Sequence, residues 1–125
     1  MSTTLSKTAA VERARREHPD AELQASTTLF ANINAGKDVW WYDIPLRKIA
    51  GNCYEFLDFL AFDHRTCELH YLHIPVEFFR TNLSKLVIRS DKETISLELS
   101  ARGSELFQDV RPTGGKVHFS QFNAG

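Results

Sequence analysis

The sequence predicts an α+β domain: a mostly antiparallel sheet of about five to seven strands, one helix packed on it, and a short helix near the N-terminus. Three observations carry that expectation. Apolar runs of strand length, bounded by turn-forming residues, recur along most of the chain. Pro75 is followed by apolar residues at helical spacing. The 125 residues are 42% hydrophobic and 25% charged, proportions that support one buried core without disulfide or metal and exclude disorder for most of the chain.

Residues 6–18 read as the short helix. Ser6 or Thr8 can cap it, Ala9, Ala10 and Ala14 favour it, and Pro19 stops it. Its apolar face is thin, limited to Leu5, Ala10, Val11 and Ala14, while Arg13, Arg15 and Arg16 form a basic cluster. Such a helix is expected to dock loosely or to be ordered by a partner, a solvated helix at a mobile terminus being the simplest reading. The chain therefore divides into an N-terminal helix and linker, 1–22, and a single α+β domain, 23–125.

From Thr27 the period changes to two. Leu29, Ala31 and Ile33 alternate with Phe30, Asn32 and Asn34, and Asn34-Ala35-Gly36-Lys37 looks like a turn, so a hairpin with a second strand over 38–44 is expected. Trp40 and Trp41, being adjacent, must point to opposite faces of that strand. The run 54–62 is almost continuously apolar, which suits a central strand covered on both faces. The polar turn 63–66 leads to its antiparallel partner, 67–74. A further hairpin joins 85–89 to 93–100, where Ile95, Leu97 and Leu99 alternate with polar residues. A loop around Arg111-Pro112-Thr113-Gly114-Gly115 precedes a last strand over 116–122.

One internal echo stands out. Trp40-Trp41-Tyr42-Asp43-Ile44-Pro45-Leu46 and His70-Tyr71-Leu72-His73-Ile74-Pro75-Val76 share an aromatic strand, Ile-Pro and an apolar residue, offset by 30 positions. Proline lacks an amide hydrogen and presets φ, so each Ile-Pro is expected where strand turns into helix, with proline at the first helical position. After Pro75 the stripe Val76, Phe79, Leu83 and Leu86 keeps helical spacing; after Pro45 only a turn or two precedes Gly51.

Charge and cysteines narrow the function. With 15 Lys+Arg against 16 Asp+Glu and a net charge of -1, phosphate neutralisation is not the overall purpose of the surface. The polar first residues are not followed by an apolar signal core and the apolar stretches are too short to span a bilayer, so a cytoplasmic protein with no membrane role is expected. Cys53 and Cys67 fit no zinc spacing and read as free thiols.

Four chemical constellations compete. Asp58, Glu68 and His70 are the candidates for a metal-dependent nuclease or hydrolase, and register decides whether they meet. A two- or four-residue turn centred on His64-Arg65 puts Asp58 opposite Tyr71, on the other face from Glu68 and His70; an odd turn puts it opposite Leu72 and on their face. His73 lies on the opposite face from His70 in either case. Nucleophilic catalysis by Cys53 or Cys67 lacks a glycine-framed elbow, and Glu68 would raise the Cys67 pKa. Thr113-Gly114-Gly115-Lys116 offers backbone amides and a lysine to an anion but lacks the P-loop spacing and the helix that follows one. Arg80, Lys85, Arg89 and Lys92 are the candidate nucleic-acid contacts, which would make the protein a module of DNA or RNA processing.

The remaining reading is protein association. The middle of the chain carries more large aromatics than one half-covered sheet can hide, with Trp40, Trp41, Tyr42 and Tyr71 as candidate interface residues. Because no constellation converges at a catalytic spacing, the leading expectation is a non-catalytic interaction domain, homo-oligomeric and without cofactor. That expectation depends on the reactive side chains being scattered over different faces of the sheet.

Overall fold

A computed structural model describes residues 4–124. Among the described residues six strands and three α-helices make an α+β fold, and the strands divide equally between two three-stranded sheets. The helices are α1 (Lys7–Glu17), α2 (Arg47–Ala50) and α3 (Val76–Thr81). The strands are β1 (Thr28–Asn32), β2 (Val39–Pro45), β3 (Phe56–Asp63), β4 (Glu68–Pro75), β5 (Val87–Arg89) and β6 (Thr94–Ser100). The first sheet has the order β1-β3-β4 and the second β2-β6-β5. No helix among the described residues is long and apolar enough to cross a membrane.

The expected hairpin of β1 and β2 does not form as a ladder. The turn is there, since Asn34 and Val39 are bridged, but β1 runs parallel to β3 while β2 pairs with β6. Two-residue alternation along β1 and β2 is satisfied by either arrangement, because it specifies which face is buried and not which strand lies alongside. The last strand expected over 116–122 is also absent: a single bridge joins Gln108 to His118, and Ser120–Phe122 is a 3-10 turn. Both prolines of the echo end their strands instead of opening the helices. Pro75 is extended, with φ -62° and ψ 134°, and Val76 is the first helical residue.

Two apolar clusters explain the layering. One fills the space between the sheets, where Trp40, Tyr42 and Ile44 of β2 and Ile95, Leu97 and Leu99 of β6 meet Leu57, Phe59 and Ala61 of β3 and Leu72 and Ile74 of β4. The other lies on the opposite face of the first sheet, where Ala10, Val11 and Ala14 of α1 pack on Leu60, Phe62, Leu69 and Tyr71. β3 is thus covered on both sides, as its apolar run, interrupted only by Asp58 before Asp63 ends it, requires. The thin face of α1 suffices because alanines let the helix approach the sheet closely. Ser6 caps its N-terminus, and Leu5 exchanges two hydrogen bonds with the Asn32 side chain.

Two side chains of β2 tie the sheets together. Trp40 Nε1 donates to the Phe62 carbonyl at 3.0 Å and Tyr42 Oη to the Leu60 carbonyl at 2.6 Å. Burial holds the Tyr42 phenol well above its ordinary pKa, so it stays a donor across the accessible range.

A third polar group is buried at the edge of the second sheet. Asp109 is fully buried; its Oδ1 accepts from the amides of Glu98 and Arg111, while Oδ2 has no partner among the described residues. Burial raises the carboxyl pKa, and the two amide hydrogen bonds oppose that shift only in part. The folded state then holds this proton more tightly than the unfolded chain does, so the group's stabilising effect is full below the ordinary carboxyl pKa of about 4 and is lost as pH rises through the raised folded value. Asp109→Asn, which removes the titration, is expected to be more stable than the parent at pH 7, with the difference shrinking as pH falls toward about 4. Urea midpoints across that range measure it, and a variant less stable at neutral pH would contradict a desolvated carboxylate.

Candidate functional site

The site is set by the β3–β4 register. Asp63 pairs with Glu68, leaving a four-residue loop, and the ladder places Asp58 opposite His73. The loop is centred one residue later than the sequence suggests because Cys67 adopts φ 60° and closes the turn in a left-handed conformation that non-glycine residues seldom take. Asp63 braces the loop: its side chain accepts from the Arg65 amide and guanidinium. The hydrogen bond from the Arg65 guanidinium holds the Asp63 carboxyl below its usual range, while burial pulls the other way.

On the α1 side of the sheet, Asp58, Tyr71 and His73 converge. His73 Nδ1 lies 2.6 Å from Asp58 Oδ1, and Tyr71 Oη donates to the same oxygen at 2.9 Å. A carboxylate can only accept, so the Nδ1 proton sits in this contact and Nε2 is the nitrogen left for other partners. Asp58 is buried, whereas the His73 side chain is 44% exposed. Phe56 stacks on the imidazole with centroids 4.2 Å apart, and His18 meets Tyr71 edge-on at 5.0 Å. Burial first, and then the Asp58 contact, push the Tyr71 phenol far above its ordinary pKa.

These groups line a cleft of about 850 Å³ between the end of α1 and the segment leading into β3. Pro19 ends the helix and turns the chain so that residues 17–24 form one wall. The opposite wall, running from Cys53 to Phe56, is held by Arg80, whose guanidinium donates to the carbonyls of Ile49 at 2.7 Å and Gly51 at 2.6 Å. Lys48 reaches the Ser26 carbonyl and lies over the Tyr54 ring.

The lining is chemically one-sided. Glu17, Asp20, Glu22, Glu55 and Asp58 contribute five carboxylates, of which Glu17 is paired with Arg13 at 2.9 Å, and the described lining residues include no lysine or arginine. Tyr54, Phe56 and Tyr71 supply aromatic surface, and His18 and His73 the imidazoles. Such a cleft focuses negative potential and can hold a cation against aromatic faces.

Compared with known proteins, the chain matches no family model, no curated protein and no solved structure. Its function must be read from the site.

The other sequence-derived candidates are placed as follows. Asp58 is separated from Glu68 and His70 by the sheet, His70 being wedged against Trp40 and Phe107, so that trio does not form a metal site. No group of three or more His, Cys, Asp or Glu among the described residues has metal-binding geometry. Trp40, Tyr42 and Tyr71 are core residues; Trp41, 51% exposed, is the one of the four aromatic candidates that meets solvent, with its indole N–H on Glu98 and Lys37 over its ring. Arg80 braces the cleft wall, Arg89 pairs with Asp91, and Lys85 and Lys92 are exposed. The Gly115 amide donates to the Lys85 carbonyl, so it is not offered to an anion. Cys53 lines the cleft, and Cys67 lies in the β3–β4 loop.

The expectation that reactive side chains scatter over different faces fails for Asp58, Tyr71 and His73. An even turn already puts Asp58 on the face of Tyr71 and His73, so the signal was present. What was missing is the pairing of the acid with the histidine on its own face.

Proposed function

We propose that the protein is an interaction domain whose partner presents a positively charged group to the α1–β3–β4 cleft; the meeting of Asp58 with His73 removes the scatter on which the non-catalytic expectation stood, and the ground for binding is the lining of the cleft instead. The observation that carries this reading is the lining: a buried carboxylate, already oriented by His73 and Tyr71, at the floor of a cavity that also holds the carboxylates of Asp20, Glu22 and Glu55, with Glu17 paired to Arg13 and with the Phe56 ring beside it. A cation entering there exchanges water for carboxylate and ring faces, while an anion is repelled. The imidazole held by Asp58 also has the geometry of a general base. The same field, however, opposes the oxyanion or phosphorane that base-assisted attack on an acyl or phosphoryl group creates, and thus favours binding over turnover.

The experiment is a titration with the amides of N-acetyl-lysine and N-acetyl-arginine, with N-acetyl-glutamate amide as control, followed by the imidazole resonances of His18 and His73. The cationic amides are expected to shift both histidines, and binding should weaken as salt is raised. The pair Asp20→Asn and Glu55→Gln, at exposed positions, should weaken binding about fivefold in total. Equal responses to the anionic amide, or none to the cationic ones, would overturn the reading.

A further inference from the structure

Half of the floor carboxylate is already engaged. Asp58 Oδ1 accepts from Tyr71 Oη at 2.9 Å and from His73 Nδ1 at 2.6 Å. A carboxylate oxygen carries two lone pairs, so these two donors saturate Oδ1. Oδ2 has no hydrogen-bond partner among the described residues and, unlike Asp109 Oδ2, is not sealed from solvent. Of the two donors Tyr71 is buried, and His73 is the one that borders water.

The rings of the cleft are engaged in the same way. The His73 imidazole lies nearly parallel to the Phe56 ring, with 14° between the planes and 4.2 Å between centroids, and so covers one face of it. Tyr71 is buried, and Lys48 lies over the Tyr54 ring at 5.7 Å. A flat cation is left with at most the second face of Phe56.

We propose that His73 makes the cleft select a primary ammonium, the end of a lysine side chain, over a guanidinium. The proposal rests on the reading of the cleft as a cation site and adds which cation it takes. A guanidinium binds a carboxylate best as a fork, with parallel N–H donors on both oxygens, and gains further by stacking flat on aromatic faces. His73 occupies the oxygen that the second prong needs and the ring face on which the plane would lie. An ammonium is a compact charge with freely rotating donors and needs only one oxygen, Oδ2. Its other protons can turn to water or to Asp20, Glu22 and Glu55 of the lining, Glu17 being held by Arg13 at 2.9 Å.

Calorimetric titration of the full chain with the amides of N-acetyl-lysine and N-acetyl-arginine measures the preference. The parent is expected to bind the lysine compound about fivefold tighter, the scale of one hydrogen bond. His73→Ala clears the cleft side of Oδ1 and uncovers Phe56, so the arginine compound should gain and the ratio should fall to about one or below. The readout is a ratio on one sample, so any loss of folded protein lowers both apparent affinities together and leaves it unchanged. Arginine binding as tight as lysine in the parent, or a preference that survives His73→Ala, overturns the selection and leaves the cation site standing. Failure of both compounds to bind overturns the cation reading and the selection with it.

Discussion

Replacing Trp40 with alanine is expected to cost about 3–5 kcal/mol of stability, enough to threaten the fold of a domain this size. Trp40 is 1% exposed, lies between the sheets against Phe107 and His70, and donates its indole N–H to the Phe62 carbonyl across the interface between β2 and β3. Truncation leaves a void among residues belonging to three different segments, so no single element can move in to fill it. The neighbouring Trp41→Ala, on the outer face of the second sheet, should change stability by no more than about 0.5 kcal/mol. Urea denaturation of the pair provides the comparison. Equal small losses would mean that the sheets are not held together through Trp40.

Asp58 should separate stability from binding. Asp58→Ala strips the acceptor from both Tyr71 and His73. His73 can turn to water, but Tyr71 is 4% exposed, so the loss should be about 1–3 kcal/mol, the cost of one buried donor left unpaired. Asp58→Asn keeps a carbonyl oxygen at the same place and removes only the charge, so its stability should lie within about 1 kcal/mol of the parent. Both variants are expected to bind lysine amide at least about tenfold more weakly, since the carboxylate at the cleft floor is the one charge there that water screens least. Thermal melts together with the lysine titration distinguish the effects. An Asp58→Asn protein that binds as the parent does would show that the rim carboxylates, not the floor, hold the cation.

Much of the architecture was legible because its signals are short-range. The alternation of Ile95, Leu97 and Leu99, the largely apolar run of β3 and the capped start of α1 each need only a few neighbouring residues, and each has its counterpart in the structure, while the Ile-Pro pairs mark strand ends and not, as expected, first helical positions. The aromatic excess was legible too, but its meaning was not. Trp40, Tyr42 and Tyr71 serve two buried faces of one sheet, and counting rings cannot tell a second covered face from an interface.

The site itself was half visible. Alternation fixes the parity of Asp58 relative to Tyr71 and His73, but the one-residue displacement of the loop comes from Cys67 in a left-handed conformation, for which cysteine carries no propensity signal. Arg80 shows the same limit: its position among Lys85, Arg89 and Lys92 suggests a basic surface, whereas its guanidinium is spent on the carbonyls of Ile49 and Gly51, about thirty residues away in the chain.

Local chemistry in the chain is thus sufficient to establish the α+β class, the alternating faces of its strands and the capped start of α1, because periodicity and capping act over one or two turns. Which strand lies beside which, and the meeting of Asp58 with His73 under the end of α1, were decided by folding in three dimensions. Pairing two faces depends on contacts between segments distant in sequence, and a pattern with a period of two fits several such pairings equally well.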